Sequence, residues 1–383
     1  MRVKFGDVVV RANTKEDRFN TDKLYYVGGE HIETGEYLVT KRGLIAGSNI
    51  GPMFYFGFRK GQVLLASRSP DLKKAGMVTF DGICSEKTFV IETRDENVLL
   101  QSFLPIIVRS EAFWEYANNN QSGSVNHFIN WSTFSAYEFD LPSLEEQREL
   151  SEIVWAMVDA QRAYKALIAA SDELVKSQFI AEFGDPIDNP MRWDTKSLLS
   201  LGSCKNGMNF HSGDTGVVIN CLGVGDFKDN DYIRDTSILP TISLSDAPSD
   251  DYLLKDGDIV FVRSNGNKAM VGRSVAVFPG EIPTTFSGFC IRFRKTDSSV
   301  LLPFLLRALK TDSIRKKMYG RGANIQNLNQ QTLASLYIPI PPLDKQEEYI
   351  SFVRQLDKSK HSAQKALEDL QATQKALIRK YLG

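Results

Sequence analysis

One heptapeptide occurs twice in this chain. Leu141-Pro142-Ser143-Leu144-Glu145-Glu146-Gln147 returns as Ile340-Pro341-Pro342-Leu343-Asp344-Lys345-Gln346, 199 positions later. Internal repetition constrains architecture before any motif does, because each copy must fold in the same way. The same shift pairs Gly123 with Gly322, Asn130 with Asn329, Thr133 with Thr332 and Gly184 with Gly383. Nearer the start of each copy the shift is 196, matching Phe5-Gly6 to Leu201-Gly202, Gly29-Glu30-His31 to Gly225-Asp226-Phe227, and Gly61-Gln62-Val63-Leu64 to Gly257-Asp258-Ile259-Val260. Two copies of one module thus account for essentially all 383 residues.

Each copy has two parts of different character. Residues 1–141 and 187–340 carry short β-type runs such as Asp7 to Val10, Gln62 to Ala66, Thr88 to Ile91, Asp258 to Val262 and Phe289 to Phe293, punctuated by Gly, Asn and Asp as turns require. Helical spacing intervenes at Leu99 to Ala117 and at Leu302 to Tyr319. These segments are expected to be two similar α+β globules of about 150 residues.

Residues 142–186 and 341–383 read as long helices, the first followed by a linker. Leu150, Ile153, Val154, Met157, Tyr164, Leu167, Ile168, Leu174, Val175 and Phe179 recur at three and four, as do Tyr349, Phe352, Val353, Leu356, Ala363, Leu367, Leu370, Leu377, Ile378 and Tyr381. Acidic residues crowd both first turns, and Gly184 and Gly383 mark the ends. A helix of about 40 residues is about 60 Å long and cannot bury its stripe alone. The pair is expected to pack as an antiparallel coiled coil joining the globules with an internal pseudo-twofold symmetry. Adjacent pairs such as Ile153/Val154 and Leu167/Ile168 make the stripe wider than one seam, so either the globules or a partner protein must cover the excess.

The chain lacks the usual marks of catalysis. It has no P-loop, no H-E-x-x-H, no G-x-S-x-G elbow and no N-P-P-Y or D-P-P-F tetrapeptide. Pro70-Asp71 could open a nuclease-type metal motif, but Glu86-Lys87-Thr88 does not complete it. Cys84, Cys204, Cys221 and Cys290 lie far apart, with no histidine at metal-ligand spacing, and read as buried thiols. No window approaches a membrane span, and Met1 to Phe5 has no signal-peptide character, so a cytoplasmic location is expected. A formal net charge of −1 lacks the basic excess common in nucleic-acid binders.

What remains is recognition chemistry in loops. The sharpest loop runs from Arg263 to Arg273, directly after an apolar strand, with Ser264, Asn265, Asn267 and Lys268 inside it. Its first-copy counterpart holds Arg68, Ser69, Lys73 and Lys74. Arginine forks onto guanine, asparagine pairs with the adenine edge, and glycine lets backbone approach phosphate. A solvated hairpin is the plain alternative. A second loop, Tyr319 to Asn329, offers Arg321, Asn324 and Gln326, matched by Gln121, Ser122, Asn126 and His127. Here Asn and Gly could equally serve only to shape a turn. Asn209 and His211 are weaker candidates in the loop Lys205 to Gly213, and Lys41, Arg42, Arg59 and Lys60 could neutralise phosphates.

The paired Leu-Pro-x-Leu-x-x-Gln and Ile-Pro-Pro-Leu-x-x-Gln openings, the Phe179 to Gly184 helix end, Trp193 and the Gly257 to Arg263 run together resemble the DNA specificity subunit of type I restriction-modification systems. The resemblance covers the whole chain, although the first copy has no counterpart of Trp193. It implies two target recognition domains that read the halves of a bipartite, asymmetric site in double-stranded DNA, with the helices as a ruler. It further implies a non-catalytic chain holding no cofactor of its own. Two modification subunits with S-adenosylmethionine would methylate adenine N6, and two motor-nuclease restriction subunits would use ATP and Mg. A fused methyltransferase-nuclease partner, or a coiled-coil scaffold that binds no DNA, are the competing readings.

Overall fold

The structure, a computed structural model, describes residues 1–123, 126–210, 213, 215–227, 231–319 and 327–383. It divides into two compact units, one formed by Met1–Ile168 with Ser362–Gly383 and the other by Ala169–His361. It is α+β throughout, with a sheet-rich part in each unit.

In the first unit a five-stranded sheet runs in the order Val9–Ala12, Thr88–Thr93, Val63–Ala66, Ala75–Val78, Leu38–Val39. Side chains alternate across a strand, and the central strand uses both faces. Val63 and Leu65 join Phe89 and Ile91 in a core with the helices, whereas Leu64 joins Val90 and Val78 beneath a second, four-stranded sheet. Burial on both sides is why this run is apolar without alternation.

The second unit repeats the plan. Its five-stranded sheet has the order Gly202–Asn206, Cys290–Lys295, Asp258–Val262, Ser274–Val277, Tyr232–Ile233. Ile259 and Phe261 face one core, while Val260 and Val262 face the other. Both five-stranded sheets are antiparallel except for a parallel last pair, Leu38–Val39 with Ala75–Val78 and Tyr232–Ile233 with Ser274–Val277. Paired polar groups recur with exchanged chemistry. Gln62 donates to Glu92 at 2.7 Å and accepts the Arg59 N–H, while Asp258 accepts the Lys255 N–H and a two-pronged grip from Arg294 at 2.8 and 2.7 Å.

The hydrogen-bond ladders correct the sequence alignment near the start of each copy. Phe5 N donates to Tyr137 O and Leu198 N to Leu336 O, so Phe5 corresponds to Leu198 and not to Leu201. Gly28 N donates to His31 Nδ1 where Gly223 N donates to Asp226 Oδ2, which sets His31 against Asp226 and not Phe227. By residue type Phe5-Gly6 matches Leu201-Gly202 better than Leu198-Leu199; the ladder overrides that match. Three expected elements also differ. Asp7 to Val10 is split between a short helix, Phe5–Val8, and the strand Val9–Ala12. Each expected intervening helix is two helices, Leu104–Ile107 and Glu111–Asn119 in one unit and Leu302–Leu309 and Asp312–Tyr319 in the other. In the first pair Ser110 caps the new start by accepting the Phe113 N–H, and Trp114 Nε1 donates to Val108 O.

The two long helices are Leu144–Phe183 and Leu343–Leu382. Ser143 and Glu146 form a reciprocal capping box at the first start. The repeated glutamine of the heptapeptide is wholly buried in both copies. Gln147 accepts from Leu100 N and donates to Val98 O and Pro142 O; Gln346 accepts from Leu301 N and donates to Ser299 O and Pro341 O. Each glutamine therefore ties a helix start to its globule by two bonds and braces the proline just ahead of the helix by a third.

Within the second unit the helix segments run antiparallel. Asp172 pairs with Lys360, whereas Tyr349 donates to Val175 O and packs on Phe179 and Phe183 at ring distances of 5.5 and 5.6 Å. Within the first unit, Gln161 donates to Gln374 at 3.0 Å, and Ile378 and Leu382 join Val154 and Val158 in the core. A buried amide pair among apolar neighbours fixes register.

Replacing Gln147 or Gln346 by alanine should leave buried backbone groups unpaired and cost about 2 to 4 kcal/mol. Chemical denaturation of each variant measures this, and an unchanged midpoint would refute the clamp.

Candidate nucleic-acid interface

The central strand of each sheet delivers the chain into the first candidate loop. In the first unit Ser67, Arg68 and Ser69 follow Ala66. A returning segment closes on them: Ile129 N donates to Ser67 O at 2.8 Å, Ser69 N to His127 O at 3.1 Å, and Arg68 bridges Phe128. Ser122 and Phe128 exchange two further backbone bonds of 2.9 Å. Arg68, Ser69, Gln121, Asn126 and His127 are thereby gathered, although they come from two separate stretches of sequence. Arg68, Ser69 and Asn126 are exposed. Gln121 Oε1 and His127 Nδ1 are buried without a hydrogen-bond partner among the described residues.

Ser69 and Lys73 adopt left-handed backbone angles, φ of 51° and 47°, at either end of the turn Pro70–Leu72. For non-glycine residues this is a costly conformation held by its surroundings. Those surroundings are present: Arg109 Nη1 donates to Lys73 O at 2.9 Å and Thr34 Oγ1 to Leu72 O at 2.7 Å. Burial lowers the pKa of the Arg109 guanidinium. Lys74 is turned to a structural bond, donating to Gly29 O at 2.5 Å.

In the second unit Arg263 and Ser264 follow Val262, and the frame recurs. Leu328 N donates to Arg263 O at 2.9 Å, the counterpart of Ile129 on Ser67. Arg263 N and Ser264 N both donate to Phe289 O, at 2.7 and 3.3 Å. The Arg263 guanidinium lies 3.4 Å from Gly288 O. Asn209 is exposed beside the same glycine, since a Cβ on Gly288 would fall 2.1 Å from Asn209 Oδ1. Arg263, Ser264 and Asn209 thus converge.

Asn265 and Asn267 have a shaping role. Asn265 Oδ1 accepts the Asn267 N–H, and Asn267 Oδ1 accepts the Ala269 N–H, capping the short turn Lys268–Met270. The Lys268 ammonium stands 5.6 Å from the Tyr319 ring centre, and Arg273 is half-buried at the end of the loop. His211, Arg321, Asn324 and Gln326 lie outside the described residues.

Phe289, a residue the sequence reading passed over as part of a strand, stands 62% exposed in the turn beside Arg263. A Ser-Gly pair immediately before an apolar run was the available signal. Its first-unit counterpart by hydrogen bonding is Lys87, whose carbonyl accepts the Ser67 N–H. Arg292 was also missed. It is buried, with Nε and Nη1 unpartnered among the described residues, and desolvation together with neighbouring Arg294 pulls its pKa down.

Burial pushes the thiols of Cys84, Cys204 and Cys221 up to about 12, which leaves them poor nucleophiles and ligands. Among the described residues no group of three His, Cys, Asp or Glu side chains is placed to hold a metal ion. No described helix is long and apolar enough to cross a membrane.

Residues 224–371 match the family described as the type I restriction modification DNA specificity domain. The match and the fold make the chain similar to type I restriction-modification DNA specificity subunits. Among curated proteins it is 24% identical over 293 residues to the type I restriction enzyme StySPI specificity subunit of Salmonella potsdam, covering 71% of this chain and 62% of that protein. A putative type I restriction enzyme MjaX specificity subunit of Methanocaldococcus jannaschii is 28% identical over 133 residues, covering 34% of this chain and 31% of that protein. The chain therefore spans less than two thirds of these relatives. Two solved structures share its fold along its full length. One is a chain from work on complex assembly and conformational transition of the type I R-M system, with TM-score 0.60, 19% identity and 97% of that chain covered. The other is the type I restriction-modification S subunit of M. genitalium, with TM-score 0.58, 14% identity and 96% covered.

The loop pair that carries Asn209 and Phe289 is held without room for a side chain at Gly207, where a Cβ would fall 2.0 Å from Ser287 O. Gly207→Ala should separate the two loops at a cost of about 1 to 3 kcal/mol. Thermal unfolding of the variant checks this, and an unchanged melting temperature would mean that the loops part freely.

Proposed function

We propose that each globule reads one half of a bipartite, asymmetric target in double-stranded DNA. The observation that supports this most strongly is the repeated backbone frame, Ile129 on Ser67 and Leu328 on Arg263, which presents different side chains in the two units. One frame with two chemistries suits two unlike half-sites. Arg68, Ser69, Gln121, Asn126 and His127 would face one half; Asn209, Arg263 and Ser264 would face the other, with the cationic Lys268 and Arg273 in the same loop as Arg263. Lys73, Lys74, Asn265 and Asn267 act chiefly by shaping these loops. His211, Arg321, Asn324 and Gln326 are kept as contacts on sequence grounds alone.

The chain supplies recognition and no catalysis. Two modification subunits, carrying S-adenosylmethionine, methylate adenine N6 on either side, and two restriction subunits with ATP and Mg complete the assembly. Exposed apolar side chains on the first long helix, Ile153 at 47% and Leu174 at 44%, suit the docking of such partners. The long helices set the gap between the half-sites.

Arg263→Ala should relax discrimination in one half-site only, costing about 1 to 3 kcal/mol. Affinity measured on a panel of single-substitution duplexes checks this; a uniform loss across all duplexes, with a shallower salt slope, would assign Arg263 to phosphate instead. A four-residue insertion in both long helices adds about one turn and should lengthen the preferred gap. Methylated-site sequencing reads the gap, and an unchanged length would refute the ruler.

A further inference from the structure

We propose that Phe289 reads a thymine, by packing its ring on the C5-methyl group in the half-site faced by Asn209 and Arg263. This rests on the DNA-reading function above and adds to it a residue and a base. Three observations carry it. First, the ring is 62% exposed, yet the backbone that bears it is fixed. Phe289 O accepts from Arg263 N and Ser264 N, Cys290 N donates to Ser287 O at 2.8 Å, and Ser287 N donates to Leu222 O at 3.0 Å. The neighbouring loop is zipped to the same turn by Gly207 N on Cys290 O and Met208 N on Phe286 O, at 3.0 and 3.2 Å. The ring is thus displayed on a rigid base.

Second, its neighbours have base-edge chemistry. Asn209 lies against Gly288, and the Arg263 guanidinium approaches Gly288 O. Hydrogen-bonding groups gathered at the glycine next to an aromatic residue match the major groove, where the thymine methyl is the apolar feature beside an array of donors and acceptors. Third, the first unit places Lys87, paired with Glu86, at the equivalent point of the frame. An apolar ring in one unit and an ion pair in the other is a difference that packing does not require, because both positions face solvent.

The test uses the complex reconstituted with its methyltransferase partners and duplexes carrying the methylated target. Each thymine of the two half-sites is replaced singly by deoxyuridine, which removes only the methyl group. One replacement, in one half-site, should weaken the wild-type complex about five- to ten-fold. Phe289→Ala should bind the parent duplex as weakly as wild type binds that deoxyuridine duplex, and show no further loss on it. Phe289→Leu should retain most of the sensitivity, and Lys87→Ala should leave it unchanged. Equal deoxyuridine sensitivity in wild type and Phe289→Ala, or none in wild type, overturns the assignment while leaving sequence-specific binding intact. Reduced DNA bending in Phe289→Ala with sensitivity preserved would make the ring a wedge, and also overturns it. Absence of any sequence preference in the wild-type complex is a separate result, which removes the underlying function.

Discussion

The strand at the centre of each large sheet is buried on both faces, and the placement of the candidate loops depends on that constraint. Every residue of Val63–Ala66 and of Asp258–Val262 is buried. Side chains open to a ligand can begin only past the last buried residue, which puts Arg68 just after buried Ser67 and Arg263 just after Val262. Ser67 and Arg263 each accept a backbone bond from a segment that returns much later in the chain. The carbonyl at the strand end would otherwise be left without its protein partner, so the core and the presentation of the loops are coupled.

On this shared frame the two units differ in chemistry far more than in backbone. Gln62 with Glu92 becomes Asp258 with Arg294, His31 becomes Asp226 as the cap of the same turn, and Lys87 becomes Phe289. The first two exchanges preserve structural bonds, so they alter charge without altering shape. The third stands at the surface, where nothing in the fold fixes the residue and a ligand can. The buried glutamines are the opposite case. Gln147 and Gln346 keep both their identity and their three partners, because the helix starts have the same donors and acceptors to satisfy.

The repeat, the long helices and the two-globule organisation were legible because they rest on local signals. Period-three-and-four spacing, acidic first turns and terminal glycines place helices that run Leu144–Phe183 and Leu343–Leu382. The register near Phe5 and Leu198 was not legible, since Leu201-Gly202 imitates Phe5-Gly6 more closely than Leu198-Leu199 does, and only the long-range ladder chooses Leu198. Nor was the break at Ser110, where one hydroxyl starts a new helix inside an otherwise helical spacing. The loops holding Arg68 and Arg263 could be picked out by composition. Their closure by Ile129 and Leu328 could not, because a contact between distant segments leaves no local trace. Phe289 was hidden for a different reason: an aromatic at the start of an apolar run looks like core until its surroundings are known.

A module used twice, with one frame and two sets of side chains, has one central consequence for the DNA it would read. Sequencing of methylated adenines in cells with and without this chain tests it most directly. The account predicts methylation that depends on the chain and falls in two unlike short sequences separated by a constant gap. A palindromic methylated sequence, or methylation unaffected by loss of the chain, would contradict it.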